Sequence, residues 1–246
     1  MSGTDRRGRP RLPALRSVLV CILASLLLKG SLALEPSDED IGRAVQRYGA
    51  GAGQRLREWK ELLAGNRNEG EMRKLETVNR FFNRIPYATD AEHWGKDDYW
   101  ATPTELLASN GGDCEDYAIA KYLTLRELGV TGEKLRITYV KLIGANRAGL
   151  RDLVLGQAAS GTRLAPDTDA AHMVLAYYPE PGAEPYILDN NDNGIRPAAQ
   201  RKDLVPVYSF NGDSLWLAKE LTGRGQYVGA PDRLGPWRDL LKRLNN

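Results

Sequence analysis

The sequence predicts an α+β domain in which helices come first and an antiparallel sheet follows. Between about residue 37 and residue 128, apolar side chains recur at three- and four-residue spacing, which is typical of amphipathic helices. Beyond residue 135 the pattern changes to short runs rich in β-branched and aromatic residues, bounded by turn-forming residues. Helices and strands therefore occupy separate parts of the chain, which favours α+β over an alternating α/β arrangement.

Three helices are predicted in the first part of the chain. Ser37 and Asp40 have the spacing of a capping pair at the start of the first helix. The second helix is expected to end near Gly65 and the third before Pro86, and residues 86–103 lack periodicity, which predicts an irregular segment. The apolar stripes predict that the following side chains pack in the core: Ile41, Ala44, Val45, Tyr48, Leu56, Trp59, Leu62, Leu63, Met72, Leu75, Val78 and Phe82.

A short helix is predicted around residues 104–109, followed by a break at Asn110-Gly111-Gly112. The next helix runs from Asp113 to Leu128 and is closed by Gly129. Strands are predicted at 136–143, 172–178, 186–189 and 205–210, with a hairpin turn at 179–182 and a last helix at 236–244.

The first 33 residues have the layout of a secretory signal peptide. Five arginines precede an apolar run at residues 18–28, and Ser31-Leu32-Ala33 offers a small-x-small cleavage site. The run is too short to span a membrane comfortably. We therefore expect an exported protein whose single domain comprises residues 34–246.

The charge of that domain argues against a nucleic-acid partner. Residues 34–246 contain 28 basic and 31 acidic side chains, and the basic residues are not clustered. A long segment at 144–171, rich in Gly, Ala, Asp and Thr, is predicted to be a loop insertion between two strands. It contains Ala158-Ala159, and it is either a functional loop or a tolerated surface insertion.

Cys114 is the main candidate for chemistry. The other cysteine, Cys21, lies in the predicted signal peptide, so the domain cannot form an intramolecular disulfide. An unpaired thiol in an exported protein is either buried and inert or retained for its reactivity. Gly111 and Gly112 allow a sharp turn, and Asp113 can cap the helix that places Cys114 in its first turn. There the helix dipole favours a thiolate, and free N–H groups can stabilise an oxyanion.

A thiolate mechanism needs a base and a group that orients it. Only His93 and His172 are histidines, and His172 begins an apolar predicted strand. Asp189 closes the next predicted strand, across the hairpin. Antiparallel neighbours place the start of one strand beside the end of the other, so Asp189 can reach the imidazole of His172. The sequence predicts a Cys114, His172, Asp189 triad. The second oxyanion donor is open between Trp100 and Asn110.

Three carboxylates, Asp113, Glu115 and Asp116, surround the candidate nucleophile. Like charge disfavours a thiolate, and a helix dipole contributes only about 0.3–1 kcal/mol against it. Either an imidazolium or a bound cation could offset this charge. Clustered carboxylates suit a hard cation such as calcium. Acidic residues in a first helical turn, however, commonly serve only to stabilise the positive end of the helix dipole.

These residues resemble a known family. The block at 111–117 (Gly-Gly-Asp-Cys-Glu-Asp-Tyr), its continuation at 119–122, the strand at 172–178 and Ile-Leu-Asp-Asn at 187–190 resemble the bacterial transglutaminase-like cysteine proteinases of the LapG type. The resemblance covers roughly residues 37–215. It implies a papain/transglutaminase-like fold, the triad named above, and calcium (Ca2+) held by Asp113, Glu115 and Asp116. The segment at 144–171 is longer than the family leads us to expect.

The resemblance also implies a biological role. Proteases of this type are periplasmic and cut a large repeat adhesin near its N-terminus at a double-alanine site, which controls biofilm attachment. An inner-membrane cyclic-di-GMP receptor holds them inactive. The residues themselves leave three other functions open: a transglutaminase, a cell-wall amidase with the same triad, and a non-catalytic calcium-binding adaptor.

Overall fold

The computed structural model describes residues 34–143, 170–217 and 225–244. They belong to one compact unit, Leu32–Asn246. The predicted signal peptide and residues 144–169 of the predicted loop insertion lie outside the described residues. None of the helices described is both long enough and apolar enough to cross a membrane.

The described residues form seven α-helices: α1 Asp38–Tyr48, α2 Ala50–Asn66, α3 Glu71–Phe82, α4 Asp90–His93, α5 Pro103–Ser109, α6 Cys114–Glu127 and α7 Gly235–Leu244. Local capping sets several of the boundaries. At the start of α1 the Asp40 N–H donates to Ser37 Oγ (3.1 Å), and the Ser37 N–H donates to Asp40 Oδ2 (2.9 Å). Thr102 and Glu105 form the same reciprocal pair at α5.

Seven strands of the described residues form one sheet: β1 Leu135–Leu142, β2 Ala170–Tyr177, β3 Tyr186–Leu188, β4 Arg196–Pro197, β5 Leu204–Phe210, β6 Leu215–Leu217 and β7 Gln226–Gly229. Their spatial order is β4-β3-β2-β1-β5-β6-β7, and each neighbouring pair is antiparallel. The predicted α+β class and four predicted strands are confirmed. Strands β4, β6 and β7 were not predicted, because runs of two to four residues carry too little alternation to indicate a strand.

The core lies between the helices and one face of the sheet, with α6 packed against β2. Trp59, Ile119 and Phe210 are completely buried there and come from α2, α6 and β5 respectively. The indole N–H of Trp59 donates to Thr124 Oγ1 at 3.1 Å, which satisfies the polar atom of this buried ring. Each such side chain contributes roughly 1.5–3 kcal/mol through burial, so α6 is fixed firmly between the two layers.

Two details of the predicted pattern are wrong. Val45, Tyr48 and Met72 were expected in the core, yet they are 37–41% exposed. The amphipathic stripe is wider than the contact area: Val45 packs with one side against Gly53, and Met72 lines an open surface cavity. The segment expected to be irregular contains α4, a single turn that Thr89 caps through the Glu92 N–H.

The sheet register brings two candidate catalytic residues to one place. Strand β2 begins at Ala170, two residues before the predicted start, so His172 is its third residue. Leu175 of β2 pairs with Leu188, the last residue of β3. Because side chains alternate between the two faces of a sheet, His172 and Asp189 project from the same face at neighbouring strand positions.

Candidate active site

The segment before α6 approaches its neighbours so closely that it requires glycine. A Cβ atom at Gly112 would lie 2.5 Å from Asp116 Oδ2 and 2.7 Å from Leu106 Cδ1. A Cβ atom at Gly111 would lie 2.7 Å from the ring of His93. The two glycines therefore allow the close packing of the segment that leads into α6. The half-buried Cys114 is the first residue of that helix.

The imidazole of His172 and the carboxylate of Asp189 form a buried pair. His172 Nε2 lies 2.8 Å from Asp189 Oδ1, and the two residues are only 3% and 1% exposed. An ionised carboxylate can only accept, so Nε2 carries the proton and Nδ1 presents a lone pair. Burial raises the pKa of Asp189, but the imidazole and the guanidinium of Arg201 outweigh that effect, and the pKa lies below its usual value. Asp189 is thus an anion that fixes the tautomer of His172.

The thiol of Cys114 lies beside the same strand. Burial raises the pKa of Cys114, and the carboxylates of Glu115 and Asp113 raise it further, whereas a backbone hydrogen bond from Met173 lowers it. Met173 directly follows His172. The proton of the thiol is donated to Glu115 Oε2, at 3.0 Å. The structure therefore joins His172 to Asp189 and places the thiol next to the strand of His172, with Glu115 as the acceptor of the thiol proton.

The three predicted metal ligands belong to a larger group of carboxylates, the acidic cluster, which consists of Asp90, Asp98, Asp113, Glu115 and Asp116. Within it, Asp90 joins Asp113 and Asp116 in one set, and Asp90 joins Asp98 and Glu115 in another. In each set the candidate ligand atoms lie within 4.8 Å of one another. The cluster lies at the nucleophile end of α6.

The chemistry of the acidic cluster fits a hard cation. Oδ1 of Asp90 and Oδ1 of Asp113 are buried and have no hydrogen-bond partner. Burial, followed by the charges of neighbouring carboxylates, raises the pKa of Asp113 to about 10. Burial likewise raises the pKa of Asp90 to about 6. Crowded, unpartnered carboxylate oxygens of this kind are the ligand set that calcium prefers.

Residues 99–101 bind two members of the acidic cluster through backbone N–H groups. The Tyr99 N–H donates to Asp90 Oδ2 at 2.5 Å, and the Ala101 N–H donates to Asp116 Oδ1 at 2.6 Å. Between them, the carbonyl of Trp100 accepts from Arg243 Nη2 at 2.6 Å. Alternate backbone groups of this short segment thus bind the cluster and the C-terminal helix.

In the described structure the two candidate oxyanion donors, Trp100 and Asn110, make no hydrogen bond with Cys114. Trp100 is buried, stacks on Phe210 with ring centroids 5.7 Å apart, and directs a side-chain hydrogen bond to Asp98. Asn110 is exposed and ends α5 in a left-handed conformation, with φ of 59°. The Cys114 N–H, a free donor at the helix N-terminus, is the other predicted oxyanion donor.

Sequence reasoning missed three polar residues of this site: Asp90, Asp98 and Arg201. Asp90 and Asp98 lie in the segment that lacked periodicity, and no spacing relates them to the residues at 113–116. Arg201 Nη2 donates to Asp189 Oδ2 at 2.8 Å from a loop that had no predicted element. The Thr89 cap was a visible signal for α4, and hence for the position of Asp90.

Comparisons with known proteins identify the family. The model of the family described as bacterial transglutaminase-like cysteine proteinase BTLCP matches residues 57–155. The structure of Legionella pneumophila LapG, EGTA-treated, is 40% identical in sequence, covers 85% of this chain and 98% of its own, and gives a TM-score of 0.64. The chain belongs to the bacterial transglutaminase-like cysteine proteinases.

A second L. pneumophila LapG structure, described as calcium-bound, is 39% identical, with a TM-score of 0.62 and coverage of 85% of this chain and 99% of its own. The comparison with curated protein sequences gives no significant match. As a transglutaminase-like cysteine proteinase, the protein is a cysteine protease with a papain/transglutaminase-like α+β fold, and both predictions are confirmed. The family match contains Cys114 and the acidic cluster but ends before His172 and Asp189.

Proposed function

We propose that the protein is a calcium-dependent periplasmic cysteine endopeptidase that cleaves a large surface adhesin near its N-terminus at a double-alanine site. The observation that carries this proposal is a thiol at a helix N-terminus, beside a strand whose imidazole is oriented by a carboxylate and beside a carboxylate cluster that contains two unpartnered oxygens. The family supplies the protease class. The existence of calcium-bound and EGTA-treated structures of L. pneumophila LapG supports calcium as the cation.

The proposed triad consists of Cys114, His172 and Asp189. His172 Nδ1 takes the proton of Cys114, and the sulfur attacks the scissile carbonyl carbon to form a tetrahedral intermediate. His172 then transfers that proton to the leaving nitrogen as the C–N bond breaks, and water hydrolyses the thioester. Asp189 keeps the proton on Nε2 throughout and stabilises the imidazolium. The Cys114 N–H donates to the oxyanion.

Before this chemistry starts, the thiol must exchange its partner. Its proton is donated to Glu115 in the structure, so Cys114 has to turn toward His172 Nδ1. The residues that would hold calcium are Asp90, Asp98, Asp113, Glu115 and Asp116. Bound calcium would supply positive charge beside the thiol and satisfy the unpartnered oxygens. The hydrogen bond from the Met173 amide favours the thiolate once the proton has left.

The proposal includes export to the periplasm and inhibition by a membrane receptor. The basic and apolar leader at residues 1–33 supports a periplasmic location. The resemblance to LapG-type proteases supports inhibition by an inner-membrane cyclic-di-GMP receptor, and a large repeat adhesin as the substrate.

The decisive experiment is cleavage of a double-alanine peptide, and of an adhesin N-terminal fragment, followed by mass spectrometry. We expect cleavage by the wild-type protein, none by Cys114→Ala, and loss of cleavage on addition of EGTA with recovery in excess calcium. Asp98→Asn should require more calcium, whereas Asp97→Asn, a neighbouring exposed carboxylate outside the acidic cluster, should not.

Other outcomes would favour the alternative functions. Retained cleavage by Cys114→Ala would end the proposed mechanism. A crosslinked product with an added primary amine, without hydrolysis, would indicate a transglutaminase. Cleavage of peptidoglycan alone would indicate an amidase, and a Cys114 inert to alkylation would indicate an adaptor.

A further inference from the structure

Both oxygens of the Asp189 carboxylate are engaged. Oδ1 accepts from His172 Nε2 at 2.8 Å and from the Asn191 N–H at 2.9 Å. Oδ2 accepts from Arg201 Nη2 at 2.8 Å. Because the contacts lie on opposite sides of the group, the carboxylate cannot rotate without breaking a charge-assisted hydrogen bond.

The guanidinium of Arg201 is itself fixed from two directions. Its Nε donates to Asp203 Oδ1 at 3.0 Å, and its Nη2 donates to Asp203 Oδ2 at 2.8 Å. The backbone is fixed as well, because the Arg201 N–H donates to the Ala198 carbonyl and the Leu204 N–H donates to the Arg201 carbonyl. Arg201 is only 7% exposed, so solvent screens these contacts weakly.

The charges of these contacting groups balance during the proposed reaction. Asp189 and Asp203 carry two negative charges and Arg201 one positive charge, which leaves one net negative charge beside His172. That charge matches one imidazolium, the form His172 takes after it receives the thiol proton. Without Arg201, Asp189 would be a buried carboxylate with one hydrogen-bonding side-chain partner, the imidazole of His172, which is unfavourable.

We propose that Arg201 is a positioning residue of the catalytic site, which keeps Asp189 ionised and directed at His172. The inference rests on the proposed triad. Lys121 of α6 also interacts favourably with Asp189, but it makes no hydrogen bond to that carboxylate in the described structure and does not fix its orientation. Because Arg201 donates to both Asp203 and Asp189, it links the loop before β5 to the end of β3.

The direct readout is the Nε2–H proton of His172, which an ionised carboxylate partner shifts downfield in proton NMR. The sequence contains only two histidines, so His93 serves as the internal reference. We expect Arg201→Met to lose this signal and to lower kcat about 10²-fold, with KM almost unchanged, because a misplaced catalytic group costs about that much. Arg201→Lys, which can keep one ion pair with Asp189, should retain the signal and recover most of kcat.

Arg196→Met is the matched control. Arg196 lies on β4 and pairs with Asp192 at 2.6 Å, but its side chain is 52% exposed and makes no hydrogen bond or ion pair with the triad in the described structure. It should behave as the wild type. A purely structural role for Arg201 predicts a lower melting temperature with an unchanged His172 signal and kcat, and that result would overturn the inference.

If Arg201→Met does not fold, Arg201→Lys decides the question. A folded Arg201→Lys protein with the His172 signal supports the inference, and one without the signal contradicts it. Because the NMR measurement requires no substrate, its outcome is independent of the proposed function, which fails separately if Cys114→Ala still cleaves the peptide.

Discussion

Asp189 Oδ1 accepts a hydrogen bond from His172 Nε2 at 2.8 Å, and both side chains are almost completely buried. The pair joins the third residue of β2 to the residue that follows β3. It leaves Nδ1 of His172 as the basic nitrogen of the ring.

Asp189→Asn should lower kcat by roughly 10³–10⁴-fold with little change in KM. The amide has the same shape, but its NH₂ group can donate to Nε2 and so reverse the tautomer, which places the proton on Nδ1. Peptide cleavage under saturating substrate measures this effect. Asp192→Asn, in the same loop but paired with Arg196, is the control and should keep full activity. A kcat for Asp189→Asn within tenfold of the wild type would contradict the assignment.

Gly112→Ala should lower the free energy of unfolding by about 1–3 kcal/mol, since the added Cβ would overlap a well-packed neighbour. That Cβ would lie 2.5 Å from Asp116 Oδ2 and 2.7 Å from Leu106 Cδ1. Displacement of Asp116 should also weaken calcium binding, which calorimetry measures. Gly65→Ala, in α2 with nothing within 4 Å of the added atom, should instead gain up to about 1 kcal/mol. Equal effects at both positions would show that Gly112 has no special packing role.

The sequence was informative wherever pattern and spacing are local. The Ser37–Asp40 capping pair, the Gly129 helix end and four runs rich in β-branched and aromatic residues predicted elements within one or two residues of the observed bounds. The hairpin at 179–182 then predicted that His172 and Asp189 would lie close together, because the register of two antiparallel strands determines which of their residues are neighbours. Residues joined by one hairpin can be placed from sequence for that reason.

The remaining site residues could not be predicted because they depend on long-range packing. Tyr99 binds Asp90 and Ala101 binds Asp116, so the segment at 99–101 links Asp90 to the nucleophile helix, and no period or motif encodes these contacts. Arg201 lies in the connection between β4 and β5. Its contact with Asp189 depends on the spatial order of the strands, because β5 is not a neighbour of β3 in the sheet. The sequence showed the carboxylates that adjoin Cys114 in the chain, but it did not show which distant residues lie beside them.

Lys121→Met should raise the free energy of unfolding by a few kcal/mol below pH 7. Lys121 is 1% exposed on α6, and burial lowers its pKa from 10.5 to about 7, although Asp189 opposes that shift. Between pH 7 and 10.5 the unfolded chain binds a proton that the folded protein has released. The stability of the wild type should therefore rise with pH in that window, because the unfolded state binds more protons there.

Urea unfolding at several pH values from 6 to about 9 measures this dependence. Lys121→Met should lack the rise, whereas Lys242→Met, an exposed substitution on α7, should follow the wild type. Parallel stability curves for the wild type and Lys121→Met would show that the amine of Lys121 does not titrate in this range.

Arg243→Ala should weaken calcium binding, although Arg243 lies on α7 and has no contact with the acidic cluster in the described structure. Its guanidinium donates to the Trp100 carbonyl at 2.6 Å and to the Tyr99 hydroxyl at 2.7 Å, and it pairs with Glu105. These contacts fix the segment whose N–H groups bind the cluster. Their loss should cost about 1.5–3 kcal/mol of stability, as for other hydrogen bonds to charged groups.

Calorimetric titration with calcium and thermal unfolding distinguish the two effects of Arg243→Ala. We expect the affinity for calcium to fall and calcium to raise the melting temperature less than in the wild type, because a ligand stabilises the folded state in proportion to its affinity. Arg238→Ala, an exposed arginine on the same helix, is the control. If Arg243→Ala loses stability but binds calcium as tightly as Arg238→Ala, then α7 supports the fold without shaping the cation site.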